Sequence, residues 1–431
     1  MPFTDQSHTL TRRQLLTVCG SCVGGGALGG YVYGSGFLRD DGCNPTPLDT
    51  SPTDWPLPNY DGGNTRTVPS EYAPESGLSE NWSVRVRDPG QPLVLNGSVF
   101  VAPDPSSTEL ITSYDLSTGE ERWAKPVSTS GDSLPFLAGG DSLFLGRVRD
   151  AEETISRAVA TADGSERWTS DVASGLVTQV PDAGLLVFRD SADLIAIDAR
   201  TGEACWQERF QGRLGSSSIY AGETIVMHAS TDGEVIALDA ASGEQQWEAD
   251  ISDYFYPDED EFTDAVRGHL VAGTDRVFFG TFSGMLIALD ATTGETEWVT
   301  PETHPEIPTE GGRQYAPPRL EPVSFSEDTL VVIESDGTDR SDRLHAIDPT
   351  AGSEQWTFEP EEEEDVRIRS AAVGGETVFL PVMEELHLID VDSGDLLETH
   401  GLDGYAQSVS LADGNCLVAT TEGIVTFGEE P

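Results

Sequence analysis

Lysine is almost absent from this sequence of 431 residues, which contains a single one, Lys125. Lysine and arginine together number 24 against 76 aspartates and glutamates, and the formal net charge is −52. This acidity runs through the whole chain and is not confined to a tail. It disfavours nucleic acid as a partner, because there is no basic stripe to displace counterions from phosphates.

Several groups that carry chemistry in enzymes are missing too. No two of the five cysteines are adjacent, the seven histidines show no zinc-ligand spacing, and no glycine-rich phosphate loop is present. The acidic run at residues 258–261, with Asp264, lacks the ordered spacing of a Ca²⁺ loop and is explained more simply as solvated surface. We therefore predict no catalytic residue and no metal site, and we expect Cys205 and Cys416 to be small buried hydrophobic residues.

Such an acidic, lysine-poor composition resembles that of proteins from extreme halophiles, archaeal ones in particular. A net charge of −52 repels itself strongly in dilute buffer. At molar salt the screening length is only ~3 Å, and most of that repulsion disappears. The composition thus predicts a protein adapted to very high salt.

Residues 1–43 have the order of an export signal, a charged region followed by an apolar one. The segment Thr11-Arg12-Arg13-Gln14-Leu15-Leu16 precedes an uncharged stretch through Leu38 and resembles a twin-arginine signal. The stretch is also long enough to span a bilayer once, so cleavage and retention as an anchor both stay open. Cys43 lacks the apolar residue that a lipid-attachment motif requires, and a lipid anchor there is weakly supported. The predicted location is the outer face of the cytoplasmic membrane.

Residues 44–80 are rich in Pro, Ser, Thr and Asp without apolar periodicity, which predicts a spacer between the membrane and a globular domain at 81–431. Within the spacer, Asp54-Trp55-Pro56 suggests that Trp55 packs against that domain.

One pattern recurs down the chain: an apolar strand, an Asp, two or three small residues, a Gly, and a Trp four residues after the Gly. Asp bonds the backbone of a tight turn and Gly supplies positive φ, so each instance predicts a hairpin, and the Trp on the outgoing strand would cover the seam to the next blade. Two instances are degraded, with Ala160 at the Asp position of one and Glu398 at the Trp position of another. The repeat residues are Asp115, Gly119 and Trp123; Gly164 and Trp168; Asp198, Gly202 and Trp206; Asp239, Gly243 and Trp247; Asp290, Gly294 and Trp298; Asp348, Gly352 and Trp356; and Asp390 and Gly394.

The pattern resembles the PQQ-like repeat, which residues Ala237–Trp247 and Ala288–Trp298 match almost in full. Successive motif glycines stand 45, 38, 41, 51, 58 and 42 residues apart, the size of four-stranded blades. Seven blades follow, and an eighth is split: the strand headed by Trp82 lacks a partner, and the C-terminal strands lack a fourth. The resemblance therefore implies an all-β, eight-bladed propeller of four-stranded antiparallel blades, closed by the N-terminal strand.

Quinoprotein dehydrogenases resemble this chain in blade number, and PQQ with Ca²⁺ is the cofactor that this likeness would imply. They carry adjacent cysteines, a Ca²⁺ site and long decorating loops. The sequence lacks the adjacent cysteines, so we predict no cofactor.

Two groups of residues are candidates for binding. Insertions at 252–264, 301–318, 334–343 and 359–365 share one face, where the candidate partner-binding residues are Tyr254, Phe255, Tyr256, His304, Arg313, Gln314 and Tyr315. The alternative is that these loops pack only on one another. Positive charge on the predicted inner strands gathers at Arg267, His269, Arg319, Arg367 and Arg369, which form either a channel anion site or ion pairs between blades.

The predicted function is that of an exported, non-catalytic propeller binding a protein or peptide as a scaffold, similar in architecture to the outer-membrane assembly lipoproteins. Function does not follow from fold, and the alternatives are a reduced PQQ-dependent oxidoreductase and a polysaccharide-binding module. The membrane is approached only through the N-terminal segment.

Overall fold

The fold is an eight-bladed β-propeller, seen in a computed structural model. The structure describes residues 38–39, 43–74, 77–102, 110–127, 136–150, 153–172, 175–190, 192–210, 214–229, 233–255, 266–273, 275–305, 309–310, 313–314, 317–335, 341–360 and 366–429. The predicted signal or anchor at 1–43 lies almost entirely outside these residues. Within them, no helix is both long and apolar enough to cross a membrane.

Each blade is an antiparallel sheet whose four strands run outward from the central channel, which confirms the predicted fold class. From the inner strand to the outer one, the first four blades are Leu93–Leu95, Ser98–Val101, Leu110–Asp115, Glu121–Pro126 (blade 1); Phe136–Gly139, Ser142–Asp150, Glu153–Ala160, Glu166–Ser170 (blade 2); Gly175–Val180, Leu185–Asp190, Asp193–Asp198, Ala204–Arg209 (blade 3); and Leu214–Ala221, Thr224–Ala229, Glu234–Asp239, Gln245–Asp250 (blade 4).

The remaining blades are Val266–Ala272, Arg276–Thr281, Leu286–Asp290, Thr296–Thr300 (blade 5); Arg319–Phe325, Leu330–Ser335, Arg343–Ile347, Glu354–Phe358 (blade 6); Ala372–Gly374, Thr377–Val382, Glu385–Asp390, Leu396–Gly401 (blade 7); and Ala406–Ala412, Asn415–Thr420, Gly423–Glu429, Leu78–Arg85 (blade 8). Short 3₁₀ turns occupy Ser70–Tyr72, Pro181–Ala183 and Ser252–Tyr254, and Thr309–Glu310 pairs with Arg313–Gln314 in a small hairpin.

The repeated Asp and Gly close the hairpin between the third and outer strands. In blade 5, Asp290 Oδ1 accepts hydrogen bonds from the backbone N–H of Thr292 and Thr293 at 2.9 and 2.7 Å. These bonds favour the ionised carboxylate and hold the pKa of Asp290 below its usual value. Gly294 has φ +74°, the left-handed conformation that the turn requires.

The repeated tryptophans seal the seams between blades, as predicted. Each indole N–H donates to the carbonyl that follows the Asp position in the next blade, at 2.8 to 3.1 Å, and each ring lies over the motif glycine of that blade. At Gly294 an added Cβ would lie 2.5 Å from Cε3 of Trp247, so only glycine fits beneath the ring. The donor and acceptor residues are Trp82 and Leu116, Trp123 and Thr161, Trp168 and Ala199, Trp206 and Ala240, Trp247 and Ala291, Trp298 and Pro349, and Trp356 and Val391.

Blade 8 is built from both ends of the domain, which confirms the predicted closure. Its outer strand Leu78–Arg85 pairs antiparallel with Gly423–Glu429, with Leu78 opposite Glu429 and Arg85 opposite Gly423. The N-terminal strand thus supplies the fourth strand of blade 8, and the ring is closed without an unpaired strand edge there.

Residues 43–74 pack on the propeller and contact all eight blades, where composition had predicted a spacer. Trp55 is fully buried and exchanges two 2.8 Å backbone hydrogen bonds with Val94 of blade 1, which confirms the predicted packing of this tryptophan. The segment forms few regular strands, so its packing leaves no apolar periodicity in the sequence. Its order comes largely from backbone hydrogen bonds to the blades, which require no periodic pattern of side chains.

Cys205 is half of a disulfide with Cys43, and its predicted role as a free buried hydrophobic residue is wrong. Its partner Cys43 is the last residue of the predicted signal or anchor segment and lies 162 residues away in the sequence, so the repeat pattern gave no indication of the pairing. The bond occupies the Cys43 thiol and argues against a lipid anchor at that sulfur. Cys416 is buried and free, as predicted, and burial raises the pKa of its thiol.

Candidate functional site: the closed channel

The two faces of the propeller are not equivalent. Hairpins between inner and second strands, and between third and outer strands, lie on one face, which we call the floor face. Connections between second and third strands, and between blades, lie on the other, the loop face. Residues 43–74 lie on the floor face, because they bond to the ends of inner strands that lead into its hairpins.

Residues 57–68, the floor segment, close the channel at the floor face. Inner strands of four consecutive blades each donate one backbone N–H to successive carbonyls of this segment. The donors and acceptors are Tyr220 to Gly62 at 2.6 Å, Ala272 to Gly63 at 2.8 Å, Phe325 to Thr65 at 2.8 Å and Val373 to Arg66 at 2.8 Å.

Two glycines allow the floor segment to approach the blades this closely. A Cβ on Gly62 would lie 2.9 Å from Cβ of Tyr220, and one on Gly63 would lie 2.6 Å from the carbonyl oxygen of Ala272. Any side chain at these positions would push the segment away from blades 4 and 5. The Gly-Gly pair is therefore required for the closed channel.

Arg66 projects from the floor segment and is buried, with 9% of its surface exposed. Its Nε donates to Asn59 Oδ1 at 2.8 Å, Nη2 donates to the same oxygen, and Nη1 donates to Ser370 Oγ. Both partners are neutral. Burial lowers the pKa of Arg66 to about 10, and the attraction of the Glu321 carboxylate opposes that shift, so the guanidinium stays charged at neutral pH.

A cavity of about 80 Å³ lies in the channel above Arg66. His269 and Arg369 in its wall are exposed, and because the floor segment closes the other end, solvent reaches them from the loop face. The channel walls shield the His269 ring from water, and this burial lowers its pKa below the usual value. The positive charge of Arg66 lowers the pKa further, because it repels a proton on the ring. The polar and charged residues facing the cavity include Asn59, Asn64, Arg66, His269, Glu321 and Arg369.

The predicted channel residues divide between the two interpretations. Arg367 follows the ion-pair interpretation, with Nη1 donating to the buried Asp342 at 3.1 Å, and Arg319 stacks over the ring of Phe282 at 5.3 Å. His269 and Arg369 face the cavity, as an anion site would require. For Arg267 the structure describes the backbone alone.

The predicted partner-binding residues are described only in part. Tyr256 and Tyr315 lie outside the described residues, and only the backbone is described for Arg313 and Gln314, which form one strand of the small hairpin. His304 is half-buried. A role of these residues in binding a partner stays a prediction.

Tyr254 and Phe255 pack against the propeller itself, and the structure shows them neither meeting a partner nor packing only on other loops. Ser283 Oγ donates to the carbonyl of Tyr254 at 3.2 Å. Phe255 covers Gly233, where an added Cβ would lie 2.8 Å from its ring. Both rings pack against the apolar cluster between blades 4 and 5.

Arg66 and Asn59 were missed by sequence reasoning because both lie in the presumed spacer. A signal was present in Asn59-Tyr60-Asp61-Gly62-Gly63-Asn64, whose residue types favour tight turns and positive φ. Tyr60, Asn64 and Arg66 do adopt positive φ, at 77°, 57° and 45°. Composition alone does not distinguish such an ordered, turn-rich segment from a flexible linker.

Comparison with known proteins agrees with this architecture. The family described as outer membrane protein assembly factor BamB matches residues 107–316. A BamB from Burkholderia pseudomallei is 23% identical over 389 residues, covering 85% of this chain and 93% of that protein. The chain is therefore similar to PQQ-like-repeat β-propellers and shares their eight-bladed fold.

Solved structures have the same fold as this eight-bladed propeller. BamB from Moraxella catarrhalis matches with a TM-score of 0.57 at 15% identity, covering 82% of this chain and 98% of that one. The quinohemoprotein alcohol dehydrogenase ADHIIG from Pseudomonas putida HK5 matches with a TM-score of 0.64 at 12% identity, covering 90% and 83%. Identities this low show a shared fold and carry no activity.

The described residues that line the channel cavity do not fit PQQ with Ca²⁺. The cavity of about 80 Å³ is well below the ~300 Å³ at which clefts for drug-sized ligands begin. A single carboxylate, Glu321, lines the cavity among the described residues, whereas Ca²⁺ takes six to eight oxygen ligands. Within the part of the channel that the structure describes, this cavity supplies neither the space nor the ligand set of that cofactor.

Proposed function

We propose that this propeller is an exported, non-catalytic scaffold that binds a protein or peptide partner at the cell surface. The observation that carries the proposal is the closed channel. The floor segment fills one end and leaves a cavity too small for an organic cofactor, so extended surfaces are what the molecule offers to a partner. Similarity to an outer membrane protein assembly factor over 85% of the chain supports a binding role.

The loop face is the proposed binding surface. The floor face is already covered by residues 43–74, whereas the insertions that lengthen blades 5 and 6 lie on the loop face. Interfaces of specific complexes need about 800 Å² on each partner, which is more than a small cavity can offer.

The Cys43–Cys205 disulfide supports export. Disulfides persist in oxidising compartments and are rare where glutathione and thioredoxin keep thiols reduced. Together with Arg12-Arg13 ahead of an apolar stretch, it favours a location outside the cytoplasm.

Adaptation to molar salt is the second part of the proposal, supported by the net charge of −52. Reducing the salt from molar to about 0.1 M lengthens the screening distance from ~3 Å to ~10 Å and restores repulsion among carboxylates. Thermal melts at fixed pH across that range are expected to show the melting temperature falling on dilution. A melting temperature that stays level or rises would contradict adaptation to salt.

Site-specific photo-crosslinking in intact cells at molar salt tests the binding surface. A crosslinker replaces exposed Thr303 on the loop face or, as a matched control, exposed Thr292 in a hairpin on the floor face. We expect a discrete higher-mass adduct from position 303 and none from position 292. Adducts from the floor face alone, or from neither face, would overturn the proposed surface.

Spectroscopy tests the non-catalytic part. Adding PQQ and Ca²⁺ to the purified protein is expected to leave the quinone absorbance identical to that of the free cofactor. A saturable spectral change, with reduction of the quinone by an alcohol, would replace the scaffold with an oxidoreductase.

A further inference from the structure

We propose that the channel cavity is a binding site for a small oxyanion, such as phosphate, sulfate or a carboxylate group, held between Arg66 and Arg369. This inference does not rest on the scaffold function. It rests on the charge, the unused donors and the size of the cavity.

The cavity concentrates positive charge in a chain that otherwise repels anions. Arg66 and Arg369 both face it, against the one carboxylate of Glu321. The chain carries 24 basic residues in total, so two arginines facing one small cavity are a marked local departure from a net charge of −52.

Arg66 retains donors for such a ligand. A guanidinium carries five N–H groups, and three of them reach Asn59 and Ser370. Among the residues that the structure describes, no carboxylate lies within ion-pair distance of Arg66. A buried charge with neutral partners is costly, and an anion in the cavity would offset that cost.

Arg369 approaches the cavity from the wall, in the segment that leads into blade 7. It forms no ion pair with any described residue, in contrast to Arg367 two positions earlier, which is paired with Asp342. Two arginines that line one small cavity supply the positive charge and the N–H donors with which arginine binds oxyanions.

The size of the cavity limits the ligand. About 80 Å³ accommodates a tetrahedral oxyanion or a carboxylate group and excludes a nucleotide or a sugar phosphate. A bound anion would connect the floor segment, through Arg66, to the wall near blade 7, and would stabilise the closed channel by mass action.

Phosphate, sulfate and acetate titrations of the full chain, at constant ionic strength in sodium chloride, test the site. The readouts are the melting temperature and, for phosphate, broadening of its ³¹P resonance. We expect a saturable rise in melting temperature with at least one of these anions. Excluded salts stabilise proteins without saturation, so saturation separates binding from that general effect.

Three variants locate the site. Arg369→Gln removes an exposed arginine and is expected to fold and to weaken anion binding at least tenfold. Arg367→Gln, a matched change two residues away, is expected to retain binding within about twofold. If the Arg66→Gln protein folds, it should not bind the anion. If that variant does not fold, the comparison of wild type with Arg369→Gln still decides the test.

Two results would overturn the proposal. One is a wild-type response that does not saturate with any of the three anions. The other is an equal response from wild type and Arg369→Gln, which would place the anion elsewhere on the surface. Neither result bears on crosslinking at the loop face, so the anion site and the scaffold function fail separately.

Discussion

Seven seams of this propeller are closed by tryptophan, and the eighth, between blades 7 and 8, is closed differently. Glu398 occupies the position where the other outer strands carry the tryptophan, and its Oε1 accepts from the backbone N–H of Gly77 at 2.6 Å. His400 lies beside it, with Nε2 3.1 Å from Glu398 Oε2 and its ring 5.4 Å from that of Phe427.

The difference has a topological cause. In seven blades the third and outer strands are joined by a hairpin that carries the motif glycine, and the tryptophan of the preceding blade covers that hairpin. Blade 8 has no such hairpin, because its third strand ends near the C-terminus and its outer strand begins at Leu78. The motif therefore loses its tryptophan at the one seam where the tryptophan has nothing to cover.

The largest expected effect comes from removing the closing strand. A chain beginning at Arg87 lacks the outer strand of blade 8 and exposes a sheet edge, so we expect aggregation and no cooperative thermal transition. A chain beginning at Leu78 keeps that strand and loses only the segment on the floor face, so it should remain soluble with a lower melting temperature. Size-exclusion chromatography and calorimetry distinguish the two.

A peptide of residues 78–86 provides the control for that truncation. Added during refolding, it should restore a soluble monomer from the chain beginning at Arg87, because strand addition completes blade 8. Equal behaviour of the two truncated chains would mean that the strand at 78–85 is not what closes the ring.

At the level of single residues, the two kinds of seam should differ in energy. Trp247→Ala removes a buried indole between blades 4 and 5 and should cost about 3 to 5 kcal/mol of unfolding free energy. Glu398→Ala removes an exposed hydrogen bond and should cost about 1 kcal/mol or less. Denaturant titrations measure both, and comparable costs would contradict the distinction between the seams.

A tryptophan seam should also respond to acid. His228, near the seam of blades 3 and 4, is buried, and burial together with the charge of Arg189 lowers its pKa to about 4. The unfolded chain binds this proton near pH 6.5, so stability that is present above pH 6.5 is lost as the pH falls to about 4. The loss amounts to about 3 kcal/mol at most.

Variants at the two seams isolate this effect. His228→Leu should flatten the unfolding free energy between pH 6.5 and 4. His400→Leu, at the eighth seam, should keep the slope of the wild type, because His228 is still present. Identical pH profiles for wild type and His228→Leu would assign the acid sensitivity to other groups.

The sequence was sufficient to predict the blades, their closure and the role of the tryptophans, because each depends on local chemistry that repeats. Each blade spans some 40 residues, and the turn and its tryptophan are visible within a single blade, as at Asp239, Gly243 and Trp247. The floor segment was not predictable in the same way. Its order depends on backbone contacts with blades encoded 150 to 300 residues later, to which Asn59 and Arg66 give no periodic signal.

The Cys43–Cys205 pair shows the same limit, since its two halves are 162 residues apart and only one lies in a repeat. The loop-face residues Tyr254 and Phe255 show a second limit of sequence reasoning. Aromatic residues in an insertion suggest recognition, yet these two pack on blades 4 and 5, and composition does not separate a ring that meets a partner from one that meets its own domain.

The contacts of the floor segment set an order of events in folding. Residues 57–68 leave the ribosome before any blade exists, yet their hydrogen-bond donors span Tyr220 to Gly375, so they cannot bind until blades 4 to 7 are formed. This segment is thus synthesised before the blades and docks only after most of them have formed. Its docking therefore reports that the inner strands of blades 4 to 7 are in place.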